Sequence, residues 1–115
     1  MDDELVRDGR VARLDTRGNR TGEPRPVAVG YVDGPDGSIL VAARAEEAAW
    51  ARNLDADPHA MVTVGDRTFA AIAERLDAAD PRRNAAVRDL ILRYGTPSEG
   101  LGRGPVFVLR PTHHA

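Results

Sequence analysis

Apolar and polar residues alternate across residues 11–15, Val11-Ala12-Arg13-Leu14-Asp15, the period-two pattern of a strand with one buried face. The alternation stops at Arg17-Gly18-Asn19-Arg20-Thr21-Gly22-Glu23-Pro24, where two glycines and a proline within eight positions force the backbone to turn. Two apolar runs follow, Val27-Ala28-Val29-Gly30-Tyr31-Val32 and Ser38-Ile39-Leu40-Val41-Ala42-Ala43. The turn residues Asp33-Gly34-Pro35-Asp36-Gly37 separate them, and the whole predicts a second hairpin. Residues 45–57 are helix formers without β-branching; Trp50 and Leu54 fall four apart on one face, and Pro58 ends the segment.

A third hairpin is predicted over residues 59–73, turning at Gly65-Asp66. Asp80-Pro81 then supplies an N-cap and a first-position proline, and Val87, Leu90, Ile91 and Tyr94 recur at helical spacing until Gly95, which predicts a helix over residues 81–94. A Gly- and Pro-rich loop leads to the last strand, Val106-Phe107-Val108-Leu109-Arg110, closed by Pro111. Six strands in hairpins with two helices make a mostly β (α+β) fold, an antiparallel barrel rather than a parallel sheet. No linker or repeat interrupts residues 1–115, and the length suits one core.

Composition changes this picture little. With 42 % apolar and 30 % charged residues the chain is an ordinary globular sequence. All 16 basic residues are arginine, yet the formal net charge is −2, so no bulk attraction for nucleic acid is expected and any anion site must be local. The lack of cysteine excludes disulfides, a thiolate nucleophile and a cysteinyl metal cluster. No apolar run reaches the ~20 residues of a membrane span, and the acidic start MDDELVRDGR is unlike a signal peptide, so no membrane association and a cytoplasmic location are expected.

No nucleophile triad, zinc motif, P-loop or dinucleotide fingerprint is present, so catalytic residues stay unassigned. His59 follows a proline, His113 and His114 lie in the terminal tail, and no metal site is expected from them. The chemically suggestive stretch is residues 17–25, in which three arginines, a threonine hydroxyl and glycine-exposed amides share one tight loop. Those groups suit a phosphate; they equally suit a solvated hairpin tip, and composition alone favours the latter.

The run Thr16-Arg17-Gly18-Asn19-Arg20-Thr21-Gly22-Glu23-Pro24-Arg25 resembles the first hairpin loop of the deazaflavin (coenzyme F420)-dependent nitroreductase-like family. In the same order, Val29-Gly30-Tyr31-Val32-Asp33-Gly34 resembles that family's second strand and Ile39-Leu40-Val41-Ala42-Ala43 its third. Trp50-Ala51-Arg52-Asn53-Leu54-Asp55-Ala56-Asp57-Pro58 resembles its tryptophan–x–x–asparagine–leucine helix. The resemblance implies a six-stranded antiparallel split β-barrel of the FMN-binding superfamily. It also implies F420 as cofactor, with FMN the alternative, and hydride transfer to a small quinone-like, enone or nitro-aromatic acceptor. By position, Arg20, Thr21 and Arg25 would contact phosphate, Ala42, Ala43 and Arg44 would line the ring site, Trp50 and Asn53 would hold the helix against it, and Tyr31 would face the substrate pocket.

The segment Arg44-Ala45-Glu46-Glu47-Ala48-Ala49 departs from the family pattern, being shorter than the glycine-rich loop of relatives. Glu46 and Glu47 would also compete with a phosphate for the amides of the first helical turn. A non-catalytic ligand-binding module of the same fold is therefore the second reading. Trp50 suits a core anchor as well as a ring site, and Tyr31 suits a half-buried strand as well as a pocket. Barrels of this size gain stability by pairing, so a homodimer is expected.

Overall fold

The computed structural model describes residues 3–17, 24–45, 48–95 and 104–112. These form helix α1 (Asp3–Arg7), strands β1 (Ala12–Arg17), β2 (Pro24–Val29), β3 (Val32–Asp33) and β4 (Ile39–Ala42), helix α2 (Ala49–Ala56), strands β5 (His59–Val64) and β6 (Arg67–Arg75), helix α3 (Pro81–Tyr94) and strand β7 (Val106–Pro111). Every strand pairing is antiparallel, in the order β2-β1-β5-β6-β7-β4-β3. The two outermost strands of this order, β2 and β3, are consecutive in the chain. A flat seven-stranded sheet would hold its edges about 29 Å apart, whereas the link from Val29 to Val32 reaches about 11 Å at most. The sheet therefore has to curl until its edges meet, which makes a barrel split along one seam.

The split also corrects the strand count from six to seven. Residues 27–32, expected as one strand, break at Gly30-Tyr31, and the halves pair on opposite edges: Val27 with Leu14 on one side, Val32 with Leu40 on the other. The break is fixed from outside the hairpin, because the Tyr94 hydroxyl at the end of α3 accepts the Tyr31 N–H at 3.1 Å.

The barrel interior is filled by alternate strand residues, chiefly Leu14, Ile39, Val41, Val62, Phe107 and Leu109, with Ala51 and Leu54 of α2 plugging one end. A second apolar layer forms where α3 lies over the outside of β4 and β7, joining Leu40, Ala42, Val106 and Val108 to Leu76, Ala86 and Leu90. β4 and the first four residues of β7 are thus buried on both faces, which explains their unbroken apolar runs.

Helix α3 spans the residues its signals predict: Asp80 accepts the Arg82 N–H at 2.9 Å, Pro81 opens the first turn, and Gly95 at φ 87° ends it. Helix α2 is shorter than the expected 45–57, beginning at Ala49 after an N-cap, Ala48, that offers no side-chain hydrogen bond. Helix α1 was not foreseen. It is held by buried Val6, whose carbonyl accepts the Gly65 N–H at 2.8 Å from the third hairpin turn.

Candidate functional site

The seam of the barrel does not close along its whole length. β3 pairs with β4 only through Val32–Leu40 and Asp33–Ile39, so beyond those pairs the end of β4 and the edge of β2 diverge. Between them opens a cleft of about 430 Å³, within the usual size range of small-molecule pockets. Its β2 wall is Val27, Ala28, Val29 and Gly30; its other wall is Ala42, Ala43 and Arg44, then Ala48 and Trp50 at the start of α2. Val11 and Tyr94 also line it.

Two aromatic rings shape the cleft. Trp50 is half-buried with its ring 6.0 Å from Phe107 and tilted 55°, so it is both an outer core residue and a cleft wall. Tyr94 lies against Gly30 so closely that a Cβ on Gly30 would come within 3.0 Å of Tyr94 Cε2. Its hydroxyl donates to the Arg10 carbonyl at 2.6 Å while accepting the Tyr31 N–H, so α3, the turn after α1 and the β2–β3 break are joined at one oxygen. Arg44 is the one charged residue lining the cleft among the described residues, and it is exposed with no carboxylate partner among them.

Four of the residues singled out in the sequence meet here: Ala42, Ala43, Arg44 and Trp50. Arg25 is exposed on β2 opposite Thr16 and does not line the cleft. Asn53 is 7 % exposed and donates to Thr16 Oγ1 at 3.1 Å, fastening α2 to β1. Tyr31 is buried behind the cleft; its hydroxyl donates to the Gly9 carbonyl at 2.6 Å and its ring lies under the Arg93 guanidinium at 4.5 Å. Arg20, Thr21, Glu46 and Glu47 lie outside the described residues. Tyr94 and the β2 wall escaped the sequence reading, because Tyr94 fits the apolar face of its helix and the seam is formed only in the folded barrel.

A second groove of about 540 Å³ lies beside β1, β5 and β6, lined by Ala60, Met61, Ala70 and Ala71. Three of its polar residues, Asp57, His59 and Arg17, engage one another. Asp57 accepts the backbone N–H of His59 at 3.0 Å, meets His59 Nδ1 at 2.8 Å and lies 3.8 Å from Arg17 Nε. These contacts, the backbone N–H first, hold the Asp57 carboxyl below the usual carboxylate range. The seam cleft, with a guanidinium that has no carboxylate partner among the described residues beside apolar and aromatic walls, offers a donor to a planar ligand bearing an anionic or carbonyl oxygen.

An antiparallel barrel open along one seam, with a ligand-sized cleft at the opening, defines the split-barrel class. The solved structures agree. The heme storage protein HutZ from Vibrio cholerae superposes with a TM-score of 0.77 at 20 % identity, covering 97 % of this chain and 88 % of its own. An F420-H2-dependent reductase, FDR-A, gives 0.75 at 21 % identity, covering 88 % and 94 %. A putative pyridoxamine 5′-phosphate oxidase from Listeria innocua gives 0.69 at 13 %, covering 96 % and 90 %. No curated protein matches the chain significantly. Residues 5–111 match the F420H(2)-dependent quinone reductase family, and the chain belongs to that family.

Proposed function

We propose that the protein is an F420-dependent oxidoreductase that delivers hydride to a small quinone-like, enone or nitro-aromatic acceptor through the seam cleft. The observation that carries this reading is that the family match spans residues 5–111 while Ala42, Ala43, Arg44 and Trp50 converge on one cleft where the Arg44 guanidinium is exposed. When bound, the reduced deazaflavin supplies the hydride. The chain supplies position and water exclusion: Val27, Val29, Trp50 and Tyr94 offer apolar and aromatic surface to a planar ring. Arg44 offers charge-assisted hydrogen bonds to a ring carbonyl or anionic oxygen. Arg20, Thr21 and Arg25 hold the phosphate-bearing tail, and Asn53 keeps α2 seated on β1 through Thr16. Tyr31 acts from behind the wall, its N–H holding the Tyr94 hydroxyl. The working form is a homodimer, which sizing at micromolar concentration tests.

Titration of the purified protein with reduced F420 and separately with FMN tests the reading. Saturable F420 binding is expected, weakened roughly ten- to a hundredfold in Arg20→Ala and in Arg44→Gln, the loss from removing one charge-assisted hydrogen bond. Binding of FMN alone would replace the cofactor, and binding of neither would remove the oxidoreductase reading.

A further inference from the structure

Residues 43–45, which leave β4, pass directly against the lead-in to β7, and the contact is made at Gly104. A Cβ on Gly104 would fall inside van der Waals distance of the Ala43 carbonyl oxygen, 2.8 Å from Ala43 C and 2.7 Å from Ala45 N. What the position demands is space for a neighbouring backbone. That neighbouring backbone is residues 43–45, the stretch that leaves β4 and carries Arg44 to the cleft.

The two sides of the contact are joined by one hydrogen bond, and the β7 side is also tied to α3 and to Leu76. Arg83 of α3 donates to the Gly104 carbonyl at 2.8 Å, the Pro105 carbonyl accepts the Ala43 N–H at 2.9 Å, and the Val106 carbonyl accepts the Leu76 N–H at 2.9 Å. Residues 44 and 45, by contrast, lie beyond the last β4 pair, Ala42–Val106, and Arg44 is exposed. A side chain at position 104 would therefore press on the backbone of Ala43 and Ala45, the residues on either side of Arg44.

We infer that Gly104 is a positioning residue of the seam cleft: by lacking a side chain it lets residues 43–45 lie against the lead-in to β7, and so fixes where Arg44 meets the ligand. This rests on the cleft being the cofactor and acceptor site. It makes the connection from β4 to α2 and the glycine two halves of one arrangement, in which lengthening the first removes the need for the second.

The test compares wild type, Gly104→Ala, and Gly104→Ala carrying two glycines inserted after Ala45, each checked for folding by circular dichroism and thermal melting. Trp50, the single tryptophan, lines the same cleft and reports on it without any ligand, through acrylamide quenching of its fluorescence. Gly104→Ala is expected to change the quenching constant and to weaken F420 binding roughly ten- to a hundredfold, the loss of one charge-assisted hydrogen bond from Arg44. The insertion should restore both. Unchanged quenching and affinity in a folded Gly104→Ala overturn the inference. So does a loss of thermal stability and affinity that the insertion leaves uncorrected, since that is the signature of general destabilisation. If wild type binds no F420 while the quenching still shifts and is still restored, the placement of Gly104 stands and the oxidoreductase reading falls.

Discussion

Replacing Tyr94 with phenylalanine removes one oxygen and leaves the ring that packs on Gly30. The oxygen donates to the Arg10 carbonyl at 2.6 Å, lies 3.2 Å from the Tyr31 carbonyl and accepts the Tyr31 N–H at 3.1 Å. Losing the first costs about 0.5–1.5 kcal/mol, and leaving the N–H of a buried residue without its acceptor adds about 1–3 kcal/mol. The expected destabilisation is thus about 1.5–4.5 kcal/mol, or a fall in Tm of roughly 6–18 °C for a domain of this size. Urea unfolding should show a lower midpoint with an unchanged slope, because no additional surface is exposed. Tyr31→Phe is the matched control. It removes the bond to the Gly9 carbonyl, which keeps Arg93 Nη2 at 2.8 Å, so only about 0.5–1.5 kcal/mol should be lost. A Tyr31→Phe variant as unstable as Tyr94→Phe, or a Tyr94→Phe loss below about 1 kcal/mol, would refute the claim that the break between β2 and β3 is held by that hydroxyl.

Leu90→Ala, at a position with no solvent exposure in the layer beneath α3, should cost about 2–5 kcal/mol by chemical denaturation. Asp57→Asn addresses pH. The Asp57 carboxyl titrates below its ordinary value in the folded protein, so its contribution to stability is complete above about pH 4 and is lost as pH falls through the lowered folded value. Unfolding midpoints measured from about pH 5 to pH 2 should therefore fall less steeply for Asp57→Asn than for wild type, and parallel curves would count against the role given to His59 and Arg17.

What could be read from the sequence was whatever a few neighbouring residues decide. Asp80, Pro81 and Gly95 bound α3 within a single turn at each end, and the Gly65-Asp66 turn sets the register of β5 on β6. The division of residues 27–32 was not readable, since the acceptor for the Tyr31 N–H stands 63 positions away. Helix α1 gave no signal because a five-residue helix depends on tertiary partners, here Gly65, more than on propensity. The cleft divides in the same way. Ala42, Ala43, Arg44 and Trp50 could be named because the resemblance aligns them, whereas Tyr94, Val11 and the β2 wall become cleft residues only when the sheet curls.

The open seam bears on how the molecule keeps to itself. Where β2 parts from β4, its free edge is a template on which an extended segment of another chain could build, the usual route from a sheet to an aggregate. That edge carries Pro24 and Pro26, opposite Arg17 and Asp15. Proline has no N–H to offer, so two of the six residues of β2 contribute no amide donor to any ladder. An approaching strand meets an interrupted row at the start of β2, and further along it meets the ligand cleft. The opening that admits a small molecule is thereby a poor match for a chain.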